Sequence, residues 1–303
     1  MSNKEIQAFI FGAGFGTRLR PLTDLRPKVT VPFFGKPIIF YAIEKLVSFG
    51  IKSFVINKHY HADRLQEIVG DGSRWGIKIK YSHEKKILET GGALKKAKKI
   101  LTAQTFIVYN GDIICDLNID SLLDFHRQKN GLATLVVAPW CDPRQLNIDQ
   151  DGRIIDIRNI FQTDPPTDTF LGIHVMEKNI FDEFDTKSEK FSIIKTYLKL
   201  IDQKKDIYAY RLPQGYWYDI GSLDQYKKAH SDLMHIMGNS SNPQVKTDGY
   251  VAIGKNVTIE DNVYIKNSII WDNVIIKKNS VLEDCVVCDK IVVNGKYQDE
   301  ILC

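Results

Sequence analysis

The sequence predicts an α/β protein with a mostly parallel sheet, followed by a short left-handed parallel β-helix at the carboxyl end. Two observations lead to this prediction. Over residues 5–140, short apolar runs alternate with amphipathic stretches, which is typical of β-α-β crossovers and of a sheet flanked by helices. After residue 249, β-branched residues recur every six positions, which is typical of a hexapeptide repeat.

The first half of the chain gives the clearest element pattern. Its apolar runs predict strands at residues 6–11, 53–56, 77–81, 105–109 and 133–137. The stretches between them predict helices near residues 37–49, 62–69, 91–100 and 119–128. The pattern then becomes more mixed, with strands predicted at 170–176 and 207–212, a helix at 191–201 and a hairpin turn at 149–152.

A stretch rich in glycine, asparagine and serine predicts where the chain divides. Residues 1–235 form one predicted domain with halves at about 1–140 and 141–235, residues 236–248 a linker, and residues 249–303 the β-helix. Since the repeats make fewer than three coils, we expect the tail to support assembly of a homo-oligomer and to hold no second catalytic site. The repeated positions are Val251, Val257, Val263, Ile269, Ile275, Val281, Val287 and Val293.

Composition excludes several classes of protein. With 44% hydrophobic and 26% charged residues among 303, the chain is typical of globular proteins. A net charge of +4 is too small to indicate a nucleic-acid partner. No apolar run reaches the roughly 18 residues of a membrane helix, and the start lacks a signal peptide, so we expect a cytoplasmic protein with no membrane partner.

The five cysteines predict neither a disulfide framework nor a zinc site. They are odd in number and scattered along a long chain. Cys285 and Cys288 form a C-x-x-C, but no second pair or histidine lies at ligand spacing, so we expect two thiols on a strand.

The strongest functional signal is residues 12–23, G-A-G-F-G-T-R-L-R-P-L-T, followed by Arg26-Pro27-Lys28. Glycines let backbone amides approach a polyphosphate, and Arg18 and Lys28 add permanent positive charge. The prolines that follow prevent a helix, so the segment is expected to be an extended loop around phosphate. It departs from the dinucleotide fingerprint, because its third glycine comes one residue early, and from the P-loop, because G-K-[ST] is missing.

This segment resembles, over its whole length, the signature of sugar-1-phosphate nucleotidyltransferases, the NDP-sugar pyrophosphorylases. The resemblance implies a Rossmann-like, mostly parallel mixed sheet of the nucleotide-diphospho-sugar transferase type. It also implies a Mg²⁺-dependent reaction of an NTP with a sugar 1-phosphate that gives an NDP-sugar and pyrophosphate. The NTP-binding residues that it implies are Gly12, Ala13, Gly14, Gly16, Thr17, Arg18, Glu89, Thr90 and Gly91.

Two further motifs supply the carboxylates that this reaction needs. Asn110-Gly111-Asp112 follows a predicted strand, and Tyr216-Trp217-Tyr218-Asp219-Ile220-Gly221 follows the second half of the domain. In the family that the chain resembles, these motifs hold the Mg²⁺ that bridges the nucleotide and sugar phosphates, which implies Asp112 and Asp219 as metal ligands. The implied catalytic residues are Arg18, Lys28, Asp112 and Asp219.

The sugar side departs from the family pattern. Many members carry a Glu-Lys-Pro that holds the sugar and its phosphate, and this chain has none, so Arg158 is the candidate replacement. Gly111 and Gly172 complete the implied sugar pocket. The Gly172-Ile173-His174 strand and the short tail resemble mannose-1-phosphate guanylyltransferases, which implies GTP and mannose 1-phosphate. The alternatives are a uridylyltransferase on an N-acetylated, muramic-type or glucose-type sugar 1-phosphate, and an inactive regulatory subunit that binds an NDP-sugar.

Overall fold

The structure, a computed structural model, describes residues 6–185, 187–238 and 246–303. The helices in these ranges are α1 Ile38–Ser48, α2 Ala62–Val69, α3 Glu89–Ala97, α4 Ile119–Lys129, α5 Ile193–Asp202 and α6 Leu223–Met237. The strands up to residue 219 are β1 Gln7–Phe11, β2 Pro32–Phe33, β3 Lys36–Pro37, β4 Ser53–Lys58, β5 Lys78–His83, β6 Thr105–Asn110, β7 Ile113–Cys115, β8 Ala133–Ala138, β9 Leu146–Ile148, β10 Ile154–Ile157, β11 Thr169–Glu177, β12 Ile207–Arg211 and β13 Trp217–Asp219. The remaining strands are β14 Lys246–Ile253, β15 Thr258–Ile259, β16 Tyr264–Ile270, β17 Ile275–Ile276, β18 Val281–Glu283, β19 Val286–Val287, β20 Val292–Val293, β21 Lys296–Gln298 and β22 Ile301–Leu302.

The central sheet has seven strands in the order β12-β8-β11-β6-β1-β4-β5. Strand β1 lies parallel to β4 and β6, and Ile10 stands opposite Ile56 and Tyr109. The pairs β4-β5 and β8-β12 are parallel too, whereas β11 is antiparallel to β6 and β8. The predicted mixed, mostly parallel sheet is therefore confirmed.

The hydrophobic core of this sheet lies against α3 and α5. Helix α5 buries Ile193, Thr196, Tyr197 and Leu200, at the spacing of one helical face, and its Ser192 side chain caps the first turn by accepting from the Ile194 amide. These residues pack in one cluster with strand residues such as Phe9.

The tail is a parallel β-helix whose coils are shorter than three hexapeptides. Strand β16 pairs in parallel with β14 on one side and with β18 and β19 on the other. Asn256 and Asn273 occupy equivalent corners, are 17 residues apart, and join their side chains at 3.2 Å. Both have a φ near +60°, which asparagine tolerates better than most residues.

A coil of 17 residues corrects one detail of the six-residue pattern. Because the coils that contain Ile275 are one residue short of three sixes, the period slips, and Ile275 is 37% exposed, whereas Val274 and Ile276 on either side are fully buried. The six-residue pattern therefore does not by itself identify the side chains that point inward, since Ile275 is one of the repeated positions.

The last coil also corrects the expectation for the cysteines. Cys288 and Cys303 form a disulfide, with Cα atoms 4.8 Å apart and a sequence separation of 15. Their separation equals the offset between the strands that pair there, since Val286 stands opposite Ile301. Cys285 is a buried free thiol, as expected.

By its internal contacts the chain forms two compact units that do not follow chain order. One comprises Met1–Gly14 and Ile39–Trp217, and the other Phe15–Ile38 and Tyr218–Cys303. The predicted linker begins inside α6 and ends after the start of β14, and its centre, residues 239–245, lies outside the described residues. The domain boundaries stay a prediction. No helix in the described ranges has the length and apolar character needed to cross a membrane.

Candidate active site

The first part of the glycine-rich loop, Gly12 to Gly14, leaves strand β1 and lies in the first unit. The Gly12 amide donates to Asn57 Oδ1 at 2.7 Å, and the Ala13 amide donates to the same oxygen at 3.4 Å. A Cβ on Gly12 would lie 2.7 Å from the Asn57 carbonyl oxygen, so only glycine fits there. The Gly12 amide is thus engaged by the protein itself.

Asn57 connects this loop to the turn that holds the predicted NTP-binding residues Glu89, Thr90 and Gly91. Its Nδ2 donates to Glu84 Oε1 at 2.7 Å, and the Leu88 amide donates to Glu84 Oε2 at 3.0 Å. Asn57 and Glu84 are buried. Since α3 begins at Glu89, one chain of hydrogen bonds connects the glycine loop with the start of that helix.

The Glu89-Thr90-Gly91 turn packs against the start of α5. Thr90 Oγ1 accepts from the Ile193 amide at 2.9 Å, and the Gly91 amide donates to Phe191 O at 2.9 Å. Thr90 therefore satisfies an amide at the start of α5. The nucleotide-binding roles of Glu89, Thr90 and Gly91 stay predictions.

Three of the predicted site residues come together at the carboxyl end of β6. The Gly111 amide donates to Phe11 O at 3.0 Å, and Asp112 follows directly. Gly172 has a φ of +75°, and a Cβ there would lie 2.5 Å from Asn110 Nδ2. Gly172 thus lies beside the Asn110-Gly111-Asp112 motif, in a backbone conformation that favours glycine.

Tyr216 and Trp217, which precede Asp219 in its motif, lie in the same unit as Gly172. Trp217 Nε1 donates to Leu171 O at 3.0 Å, and the Tyr216 amide donates to Asp116 Oδ1 at 3.3 Å. Burial first, and the Asp116 carboxylate second, raise the pKa of the Tyr216 phenol, so this hydroxyl is protonated at neutral pH. These contacts fix the start of the motif beside Gly172.

Arg158 lies in the turn after β10. Its φ is +60°, its amide donates to Gln145 O at 2.7 Å, and its side chain is exposed. Its proposed replacement of the family lysine stays a prediction.

The second unit brings Arg18, Lys28 and Asp219 together. Lys28 Nζ lies 3.6 Å from Asp219 Oδ1, and the Lys28 side chain is only 15% exposed, against 45% for Asp219. A Cβ placed on Gly221 would lie 3.0 Å from Arg18 Nη2 and 3.1 Å from Asp219 Oδ1. Arg18 and Asp219 therefore lie beside the buried Gly221, and Lys28 lies on Asp219.

The loop conformation that brings these cations together follows from its glycine and prolines. Gly16 has a φ of +64°, and a Cβ there would lie 3.0 Å from Lys28 Cβ. Thr23 Oγ1 donates to Gly16 O at 2.9 Å, which closes the turn around Arg18. Lys28 begins one turn of 3₁₀ helix directly after Pro27. The expected extended loop thus contains two short 3₁₀ turns, at Thr17–Leu19 and Lys28–Thr30.

Comparison with known proteins decides the family. Residues 7–235 match the family described as nucleotidyl transferase. The chain belongs to this family. The resemblance to sugar-1-phosphate nucleotidyltransferases is confirmed, and the chain is similar to several curated members of this group.

Two relatives and one solved structure illustrate the similarity. The chain is 30% identical over 256 residues to mannose-1-phosphate guanylyltransferase of Mycobacterium tuberculosis, which covers 81% of this chain and 69% of the relative. It is 30% identical over 269 residues to mannose-1-phosphate guanylyltransferase catalytic subunit beta of Drosophila pseudoobscura pseudoobscura, covering 86% and 72%. The structure of HddC from Yersinia pseudotuberculosis complexed with GMP-PN aligns with a TM-score of 0.62 and 26% identity, covering 74% of this chain and 97% of that one.

The sequence motifs of this nucleotidyltransferase do not include Asn57 or Glu84. One signal could have identified them. Asn57 lies near the end of β4, and Glu84 directly follows β5, at the same carboxyl edge of the parallel sheet as the glycine loop. Polar residues at that edge are candidates for a ligand site in any α/β sheet.

Proposed function

We propose that this nucleotidyltransferase joins an NTP to a sugar 1-phosphate, releasing pyrophosphate and an NDP-sugar, and that its substrates are GTP and mannose 1-phosphate. The grouping of Arg18 and Lys28 with Asp219 supports the reaction most directly, because it provides fixed cations beside a carboxylate. The relatives named mannose-1-phosphate guanylyltransferase support the choice of substrates.

The sugar phosphate is the nucleophile in this reaction. One of its oxygens attacks the α-phosphorus of the NTP, the bond to the β-phosphate oxygen breaks, and pyrophosphate leaves. A phosphate dianion has no proton to lose, so no general base is required, and catalysis consists of alignment and charge stabilisation. In this proposal Arg18 stabilises the leaving pyrophosphate and Lys28 the transferring phosphate.

The donor set fits Mg²⁺. No group of three or more His, Cys, Asp or Glu residues within the described ranges could hold a metal. Mg²⁺ does not need such a group, because it commonly takes one or two carboxylates and fills its shell with substrate phosphates and water. Asp112 and Asp219 would supply the carboxylates, and the bound metal would supply positive charge that stabilises the substrate phosphates.

The substrates can be tested by measuring pyrophosphate release in Mg²⁺ buffer. GTP, UTP, ATP and dTTP would each be combined with mannose, glucose and N-acetylglucosamine 1-phosphates. We expect the highest kcat/KM with GTP and mannose 1-phosphate. A higher value with UTP would favour the uridylyltransferase alternative, and NDP-sugar binding without turnover of any pair would favour the regulatory subunit.

The metal ligands can be tested with Asp219→Asn and Asp112→Asn. Each amide keeps the size of the side chain but loses the charge that holds Mg²⁺, so we expect turnover to fall by about 10² or more. Asp124→Asn is a matched control, since Asp124 is an exposed residue that pairs with Arg127 on α4. Wild-type turnover in both site variants would show that the ligands were assigned incorrectly.

A further inference from the structure

Arg26 lies two residues before Lys28 and contacts the β-helix. Its Nη2 donates to Asp289 Oδ2, and its guanidinium carbon lies 4.6 Å from the centre of the Trp271 ring. Its side chain is only 12% exposed. A guanidinium that is paired with a carboxylate and stacked on an aromatic ring has little freedom, because both contacts fix the plane of the group.

Both partners of Arg26 are themselves held in place. Asp289 Oδ1 accepts from the Asp272 amide of the preceding coil at 3.1 Å. Trp271 is buried, and its Nε1 donates to the Tyr226 hydroxyl at 3.1 Å. The two side chains of the β-helix that contact the Arg26 guanidinium are therefore fixed in position.

Arg26 also spans the 3₁₀ turn that begins at Lys28. Its Nη1 donates to Thr30 O at 3.4 Å. Inside the turn, the Thr30 amide donates to Pro27 O at 2.9 Å and the Val31 amide to Lys28 O at 3.1 Å. The Arg26 guanidinium thus connects the β-helix to Thr30, the last residue of the turn.

A second contact holds the chain beyond this turn. The Tyr226 hydroxyl, which accepts from Trp271, donates to Pro32 O. Lys28 therefore lies between Arg26 and Pro32 in the sequence. Arg26 contacts Trp271 directly, and Pro32 is connected to Trp271 through the Tyr226 hydroxyl.

We propose that Arg26 and Asp289 are positioning residues through which the β-helix sets the place of the Lys28 ammonium. This inference rests on the proposed function, in which Lys28 stabilises the transferring phosphate. It gives the tail a part in catalysis although the tail has no catalytic residue of its own. A displacement of about 1 Å at a reacting group can cost about 10²-fold in rate, so a loosened turn should be measurable.

Asp289→Asn tests the proposal, because it keeps the size of the side chain and an oxygen for the Asp272 amide but removes the negative charge that faces Arg26. We expect kcat to fall about 10-fold, with KM for the NTP changed far less. We also expect faster hydrogen exchange of the Thr30 and Val31 amides, and recovery of part of the rate in Asp289→Glu, which restores the charge.

The matched control is Asp299→Asn. Asp299 is another carboxylate of the β-helix, and it accepts from Lys227 Nζ at 2.8 Å on α6, not from the Lys28 loop. We expect wild-type kcat and wild-type exchange of the two amides in this variant. If Asp289→Asn proves too unstable, Arg26→Lys provides the same test, because it keeps the charge but loses the two-sided contact.

The readouts separate this inference from the proposed function. Unchanged exchange of both amides in Asp289→Asn would show that the contact between Arg26 and Asp289 does not hold the turn. Faster exchange with wild-type kcat would show that this contact holds the turn but has no role in catalysis. A wild-type protein that turns over no substrate pair would instead overturn the proposed function. Hydrogen exchange would still show whether the contact between Arg26 and Asp289 holds the turn.

Discussion

The two parts of the glycine-rich loop are held in physically different ways. The first part, Gly12 to Gly14, is fixed by Asn57 and Glu84, two buried polar residues of the central sheet region. The second part, around Lys28, is fixed by Arg26, whose guanidinium contacts a partly exposed carboxylate and a tryptophan of the β-helix.

This difference predicts different consequences when each support is broken. A buried polar group that loses its partner costs about 1–3 kcal/mol, because water cannot replace the lost hydrogen bond. Loss of the Asp289 charge should cost less in stability, because that carboxylate is 26% exposed and Arg26 keeps its contacts with Trp271 and Thr30. Breaking the first support should therefore lower stability strongly, whereas breaking the second should mainly lower the rate.

The largest effect is expected when the positive charge of Lys28, which the second support positions, is removed. In Lys28→Ala the loss of a preorganised cation should lower kcat about 10²–10³-fold, with a much smaller rise in KM for the NTP. Steady-state pyrophosphate release measures both. Arg20→Ala is the control, since Arg20 is an exposed cation of the same loop that pairs with Asp24. A change confined to KM would place Lys28 in ground-state binding.

The first support can be tested by exchanging the side-chain amide of Asn57 and the carboxylate of Glu84 between the two positions. In Asn57→Asp a second carboxylate faces Glu84, and in Glu84→Gln the new amide cannot satisfy both Asn57 Nδ2 and the Leu88 amide. Each single variant should lose about 1–3 kcal/mol of unfolding free energy. The double variant restores every partner. Its new carboxylate at position 57 would accept from the Gly12 amide and from the new side-chain amide at position 84, whose oxygen would accept from the Leu88 amide.

Urea unfolding of the wild type, both single variants and the double variant completes the cycle. We expect the double variant to be more stable than either single variant, which requires a coupling between the two sites. Simple addition of the two losses would mean that Asn57 and Glu84 act independently and that the hydrogen-bond chain is not a unit.

Local periodicity explains how much of the fold could be predicted. The predicted strands and helices of the first half all occur, and so does the turn between β9 and β10, where the Gly152 amide donates to Asp149 O at 3.1 Å. Helix α6 was missed because its buried face consists of Tyr226, Ala229, His230 and Leu233, which contains one aliphatic residue larger than alanine. A face of this kind gives a weak hydrophobic period.

The supports of the loop could not be predicted for a different reason. Arg26 and Asp289 are 263 residues apart, and their pairing depends on how the tail packs, which no local pattern encodes. The motifs identified Arg18, Lys28 and Asp219 because a family resemblance places them, and it gave no information about which residues hold them. The exposed position of Ile275 follows from coils of 17 residues in that part of the tail. Such a coil is one residue short of three hexapeptides, and the six-residue sequence pattern does not reveal this difference.

The smallest expected effect concerns His230, which contacts Phe34 and Tyr226. Its Nε2 accepts from the Phe34 amide at 3.4 Å, and its Nδ1 donates to Tyr226 O at 2.9 Å. Burial lowers the pKa of His230 to about 3, so the ring is neutral in the folded protein. As pH falls below about 6.5 the unfolded chain binds a proton there and the folded chain does not. The stabilisation is therefore complete above that pH and is lost as pH falls toward 3, by about 1.4 kcal/mol per pH unit.

His174 in the central sheet is also buried, with a pKa lowered to about 3, so it should add a second, equal slope. In His230→Gln the amide can make both hydrogen bonds of the ring without titrating, so the dependence of unfolding free energy on pH should become shallower by about 1.4 kcal/mol per unit. Urea unfolding at pH 7, 6 and 5 measures this slope. An unchanged slope in His230→Gln would show that His230 is protonated in the folded protein and that its ring is a buried charge.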